Sequence, residues 1–450
     1  MTDLLAARSQ MAMSLAFHIL FSVVGMAMPL LMVLAERHHL KTGDPVALLL
    51  ARRWAKGTAI LFGVGAVSGT VLSFELGLLW PEFMAFAGPI IGLPFSMEGF
   101  AFFLEAIFLG LYLYGWDKLS PRLHLAAGVM VAISGTLSGA FVVTANAWMN
   151  TPAGFTLDAQ GKLLTVDPVA AMLNPAAFTQ ALHMTLAAFV AVGAAVSAIH
   201  AWMLLREPGN RFHRLAFRFA GMVGAVSALL IPLSGDLSAK HVAHHQPVKL
   251  AAMEGHWETE RAAPLKLGGW PDEATETTRY ALDIPYALSF LAFADPHAEV
   301  KGLKAFPKDE RPPVAPVHIA FQIMVGCGTA LMLVGGLGLF LAWRHKTEPV
   351  DPRFLKLVVL VGPLGILAVQ AGWTVTEVGR QPWVIYGIMR TSQAVTPMPG
   401  LWVTFTSFSL LYLFLGWVVV RLLRRQVFES PTEAELKALQ PGEEVRHVLA

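Results

Sequence analysis

Cysteine is nearly missing from this chain, with Cys327 its one thiol. No intrachain disulfide can form, and the chain alone cannot hold a cysteine-ligated metal cluster. Charge is scarce too. Asp, Glu, Lys and Arg make up 14% of the 450 residues, against ~25% in soluble domains. That leaves too little polar surface for a soluble fold of this size. Neither sign dominates, since 33 Lys and Arg meet 31 Asp and Glu. The balance singles out no partner by charge, and nucleic acid is not expected as one. The first ten residues lack the Lys/Arg-rich start and cleavage site of a signal peptide, so the first apolar span is expected to be retained. No internal repeat is evident, which argues against secondary-transporter folds.

What the chain has instead is apolar sequence. Hydrophobic residues make up 55% of it, and the mean hydropathy is +0.57. They come in blocks of about twenty, the length a helix needs to cross a bilayer. Disordered and collagen-like readings are excluded. Nine spans follow, at 11–34, 57–79, 95–115, 123–145, 177–204, 216–237, 317–343, 355–377 and 400–421. They are too long and continuous for barrel strands, so the expected fold is an all-α polytopic membrane protein. Lys and Arg gather after the odd-numbered spans, as at Arg52 and Arg53, Arg211 and Arg214, and Arg344 and Lys346. The opposite connections are poor in them. The N-terminus is therefore expected outside and the C-terminus in the cytoplasm.

The chain divides into spans one to six (1–237), an outer loop (238–316), spans seven to nine (317–421) and a cytoplasmic tail (422–450). In the tail, Ser430-Pro431-Thr432-Glu433 reads as a capping box that opens a short soluble helix. The loop is far beyond ordinary length, and such loops are usually functional. Within it, Leu250, Met253 and Trp257 share a helical face with Glu254 beside it. This predicts an amphipathic element at the outer membrane surface, or a surface helix with snorkelling charges.

Ionisable groups inside spans are costly and usually face a pathway or cofactor. His18, Glu98, Glu105, His183 and Glu377 are in this position. Glu75 and His200 lie nearer span ends, where interfacial placement needs no special explanation. His183 is eight residues in from Pro175, and Met324 eight in from Pro316. Both are then about 12 Å deep. An imidazole and a thioether at one depth on two helices can clamp a haem iron, giving a low-spin, electron-transferring centre. Alone, Met324 is more often packing. Glu98 and Glu105 share a helix face and suit a proton relay, or simply hydrogen bonds to neighbouring helices. Trp373, Glu377 and Arg380 share another face, where Arg380 can neutralise Glu377 or a haem propionate. His18, Glu98 and Glu377 are all expected in the outer half.

These residues resemble subunit I of cytochrome bd-type quinol oxidases over nearly the whole chain. The likeness rests on Ala-Phe-His18-Ile-Leu-Phe, Glu98-Gly-Phe-Ala-Phe-Phe-Leu-Glu105 with Gly115-Trp-Asp117, and Ala145-Asn-Ala-Trp-Met-Asn150. It continues through His183, Lys249-Leu-Ala-Ala-Met-Glu254 with Trp257-Glu-Thr259, Ile284-Pro-Tyr286 and Phe321-Gln-Ile-Met324. Its most specific part is Gly372-Trp-Thr-Val-Thr-Glu377-Val-Gly-Arg-Gln-Pro-Trp383. The resemblance implies that His183 and Met324 ligate a low-spin haem b. It implies that His18 and Glu377 ligate two high-spin haems, one b and one d, or a further b in place of d. Glu98 would stand beside that pair among the metal-site residues, and Glu105 on the proton path. Lys249 and Glu254 would serve quinol oxidation in a Q-loop at 238–316, and Trp373 and Arg380 would pack on the haem site. Partners implied are a related membrane subunit II, often a very small single-helix subunit, ubiquinol or menaquinol, O2 and membrane lipid. The place implied is the bacterial cytoplasmic membrane. Gln322 stands where many members have arginine, and the loop is short. Both features resemble the branch that includes cyanide-insensitive oxidases. The expected activity is quinol oxidation with reduction of O2 to water, building a proton gradient by sidedness without a pump. The alternatives are a haem b electron-transfer protein without haem d and, in another class, a proton-coupled transporter.

Overall fold

The computed structural model describes residues 2–429 together with 431 and 436. Four long helices come first: α1 (Asp3–Thr42), α2 (Pro45–Leu79), α3 (Pro81–Tyr114) and α4 (Pro121–Asn150). A small hairpin and the short α5 (Pro168–Met172) lead to α6 (Ala177–Arg206) and α7 (Arg211–His245). The long connection carries α8 (Pro247–Glu254) and α9 (Ala287–Phe293) between short paired strands. The chain closes with α10 (Val314–His345), α11 (Pro352–Val361), α12 (Leu364–Val378), the one-turn α13 (Thr391–Ala394) and α14 (Leu401–Phe428). Among the described residues, nine stretches are long and apolar enough to cross a membrane, matching the nine expected spans.

Local chemistry sets the helix ends. Asp44 caps α2 through Val46 N (3.0 Å), ahead of a first-turn proline. Asp351 caps α11 in the same way, and Asn210 caps α7 without a proline. A capping side chain accepts from an otherwise orphan N–H, and proline has none to lose there. The helices outrun the predicted spans. α1 extends well beyond 11–34, and α7 runs to His245 rather than 237. Hydropathy marks only the apolar stretch, whereas backbone hydrogen bonding carries a helix on into polar surroundings. Span eight is not one rod, because it breaks at Gly362 and Pro363 into α11 and α12. The tail helix expected at Ser430–Glu433 lies outside the described residues except for Pro431.

The helices form two four-membered rings. In one, α1 packs on α2 and α4, and α3 closes the ring between them. In the other, α6 and α10 stand on a diagonal, each packed on α7 and on α12. α14 lies against α1 and α2. Small residues permit the close approaches, as is common between helices in membranes. A Cβ on Gly193 would fall 2.5 Å from Gly224 Cα across the α6–α7 contact. One on Gly365 would fall 2.6 Å from Ala191 Cα between α12 and α6.

The loop corrects one expectation. α8 is not an amphipathic helix on the membrane surface: every residue from Val248 to Glu254 is buried. It stops at Gly255, which is left-handed, so Trp257 lies past the helix rather than on its face. Val248, Ala251, Ala252 and Met253 pack with Val317 of α10 and with Ala371 and Val375 of α12. Burying apolar faces on both sides outweighs the cost of carrying Lys249 and Glu254 inside.

Candidate functional site

His183 on α6 sets Nδ1 2.9 Å from Ser234 Oγ of α7. That bond fixes the ring and leaves Nε2 as the nitrogen available to a ligand, the arrangement typical of a metal-binding histidine. Met324 on α10 turns its sulfur toward α12, where Gly372 makes room; a Cβ there would fall 3.0 Å from Sδ. The imidazole and the thioether thus belong to the diagonal pair of the second ring.

His18 on α1 lies against α2. Gly69 admits the ring, since a Cβ there would meet Cε1 at 3.0 Å. Nδ1 is 2.9 Å from Ser68 Oγ, and Nε2 is 2.9 Å from Ser22 Oγ. Ser22 also donates to His18 O (3.2 Å), so it can release the ring without being orphaned.

Glu377, near the end of α12, is held from two sides. Asn146 Nδ2 of α4 donates to one carboxylate oxygen, and Arg380 donates to the other at 2.6 Å. Arg380 is buried, yet Nε and one terminal nitrogen have no partner. Trp373 Nε1 also lacks one. Buried donors without acceptors are costly and need an explanation. An anionic group such as a porphyrin propionate would satisfy the guanidinium.

His18 and Glu377 are staggered rather than level. Gln370 of α12 donates to Ala16 O of α1 at 2.7 Å, which sets the register of these antiparallel helices. Glu377 lies seven residues to one side of that contact and His18 two to the other. The offset is about 13 Å along the bundle. Such spacing suits two separate groups better than one iron shared by both side chains. Among the described residues, no three His, Cys, Asp or Glu side chains converge on a bare metal ion.

The carboxylates of α3 follow the first ring. Ser138 Oγ of α4 donates to Glu98 (3.3 Å). Glu105 lies between Gly25 and Gly135, where Cβ atoms would come within 3.4 and 3.0 Å of Oε1, and that oxygen has no partner. Ser138 thus ties Glu98 of α3 to α4.

The loop residues meet the Glu377 group directly. Lys249 Nζ donates to Asn150 Oδ1 (2.6 Å) and to Gln246 Oε1 (3.0 Å), and Gln246 Nε2 donates to Asn150 O (3.0 Å). Asn150 Nδ2 in turn reaches Asn146 Oδ1 (3.2 Å). The Lys249 stem crosses α12 at Gly379, where a Cβ would fall 3.0 Å from Cε. Burial pulls the Lys249 ammonium down to about 7; the Arg380 charge adds to this and Glu377 opposes it. Burial pushes the Glu254 carboxyl up to about 8, and its Oε2 has no partner. Gln322 bridges the loop backbone, accepting from Gly268 N (3.1 Å) and donating to Lys266 O (2.9 Å). An arginine could not accept the first of these.

Four features escaped the sequence reading. Asn146 and Asn150 were visible only as part of a motif; their roles as links needed the fold. Glu75, taken as interfacial, is buried and bonded to Gln10 (2.9 Å). His200, also taken as interfacial, is buried with His213 at 2.9 Å. Glu36 and His124 form a buried pair at 2.8 Å, toward the opposite end of α1 and α4 from Asn150. Each lies outside or at the edge of an apolar block, so hydropathy alone assigns it to the surface.

The family model for cytochrome bd terminal oxidase subunit I matches residues 6–431. A Bacillus subtilis protein described as a putative cytochrome bd menaquinol oxidase subunit I is 38% identical, over 98% of this chain and 100% of its own length. The cytochrome bd-II ubiquinol oxidase subunit 1 of Escherichia coli is 28% identical, over 97% of this chain and 98% of its own. Among solved structures, the bd oxidase of Geobacillus thermodenitrificans superposes with a TM-score of 0.89 at 39% identity, over 96% of this chain and 99% of that one.

Proposed function

Since the chain belongs to the cytochrome bd terminal oxidase subunit I family, we propose that it is the quinol-oxidising subunit of a bacterial terminal oxidase, working beside a related membrane subunit. The reaction class is that of a quinol:oxygen oxidoreductase. The observation that carries the reading is the buried polar chain from Lys249 through Asn150 and Asn146 to Glu377 and Arg380. It joins the loop helix to the most family-specific motif through direct side-chain hydrogen bonds.

The site fits haem: His183 Nε2 is free, Met324 has its glycine recess, and Arg380 holds two unmatched donors. Bound haem would supply one-electron transfer and O2 reduction, with His183 and Met324 to hold a low-spin b, and His18 and Glu377 to hold two high-spin groups, one b and one d or a second b. This chain's own groups handle protons and position. Glu254, buried and with a free carboxylate oxygen, is placed to accept a proton from quinol at the outer face. A base poised near working pH suits that task. Lys249, anchored on Asn150 and Gln246, sets a positive charge beside Glu377 and Arg380. Arg380 and Asn146 hold Glu377 in place from two sides. Glu105 and then Glu98 pass protons inward from the cytoplasmic side, while quinol protons leave outside. That sidedness separates charge without a pump, with the N-terminus outside.

Glu254→Ala tests the assignment. Quinol turnover is expected to fall at least a hundredfold while every haem absorbance band persists. Loss of the bands along with turnover would give Glu254 a structural role instead. Far-red absorbance of the reduced protein separates a haem d enzyme from an all-b one.

A further inference from the structure

A cavity lies in the half of the α6–α7–α10 group away from His183 and Met324. It is half open, has a volume of about 460 Å³ between α6, α7, α10 and α11, and includes none of the candidate ligands. Its volume falls within the roughly 300–1,000 Å³ of small-molecule sites. The inner wall is apolar and small, with Gly193, Gly224, Ala228 and Leu331 in it. Two features are polar. Ser197 lines the wall, is 4% exposed, and its hydroxyl has no hydrogen-bond partner. At the mouth stand Arg218, Lys346 and Glu348, with Arg218 3.6 Å from Glu348 and still largely exposed.

We propose that this cavity seats one anionic phospholipid from the arginine-rich, expected cytoplasmic, face. The polar groups are ordered as such a lipid requires. Two cations against one carboxylate leave a net positive mouth for a phosphate. Ser197 lies beside Gly221, where a Cβ would fall 3.7 Å from the hydroxyl. Gly221 is three residues along α7 from Arg218, so Ser197 sits about 4.5 Å deeper. A glycerol backbone places its ester carbonyl one short step below the phosphate, and a rotation of the buried Ser197 hydroxyl would let it donate there. An acyl chain then fills the glycine-lined interior. A quinone would use Ser197 but leave both cations unanswered. Free phosphate would leave the apolar volume empty. The inference concerns a place apart from the redox site and does not depend on it.

The test is native mass spectrometry of the complete purified complex, delipidated and titrated with phosphatidylglycerol, phosphatidylcholine or inorganic phosphate. The wild type is expected to retain one phosphatidylglycerol through washing. Arg218→Gln with Lys346→Gln should weaken retention roughly tenfold or more. Arg218→Lys should restore most of it, and Ser197→Ala should weaken it less than the double variant does. Both cations are at the surface, so folding is expected to survive. The proposal is overturned if the double variant retains lipid as well as the wild type, if phosphatidylcholine binds equally, if inorganic phosphate alone is bound, or if quinone occupies the cavity instead.

Discussion

Lys249 and Glu254 are expensive residues. Both are nearly inaccessible on a short helix, and burial moves each toward its neutral form, to about 7 and about 8 respectively. The sign matters for function. Glu254 is a competent base only once ionised, so its limb of the pH profile rises toward about 8. Lys249 keeps its positive charge beside Glu377 only below about 7, so its limb falls with rising pH. Quinol oxidation should therefore peak between the two values and drop on either side. Lys249→Arg, which cannot lose its charge, should remove the alkaline fall and keep the acid limb; an unchanged profile would refute the role of Lys249. Asn150 supports the same ammonium. Asn150→Ala leaves a buried charge short of an acceptor, a loss of roughly 1–3 kcal/mol. Quinol kcat/KM should drop about tenfold or more, and wild-type kinetics would contradict the polar chain.

At the scale of elements, glycine positions decide which helices can meet. Gly365 lets α12 press on α6, and the contact holds the helix that carries Glu377 against the helix that carries His183. Gly365→Val would drive a side chain into Ala191 and cost about 1–3 kcal/mol or more. Thermal unfolding in detergent should show a lower Tm together with loss of haem; an unchanged Tm would mean that the close contact is dispensable. The element pattern was largely legible in the sequence, because an apolar block of bilayer length has one structural solution. Two things were not. The break at Gly362 and Pro363 falls inside a block whose hydropathy, averaged over the span, stays high. The burial of α8 depends on α10 and α12 closing over it, which no local periodicity announces.

For the whole molecule, two helix rings place imidazole, thioether and carboxylate groups from distant parts of the chain around one region, with the loop packed against it. His18, Glu98, Glu105, His183 and Glu377 could be named from cost alone, since a charge or imidazole inside an apolar span demands a reason, whereas the roles of Lys249 and Glu254 rested on the family resemblance. The links between them could not. Asn146 to Glu377 and Lys249 to Asn150 are contacts over 231 and 99 residues of chain. The stagger of His18 and Glu377 also emerges only from the α1–α12 register. The most direct test is a reduced-minus-oxidised absorbance spectrum of the purified complex, recorded for the wild type and for His183→Ala. The account predicts a low-spin b-type signal that the variant alone lacks, with the high-spin signals kept. A colourless wild type, or a low-spin signal that survives in the variant, would contradict it.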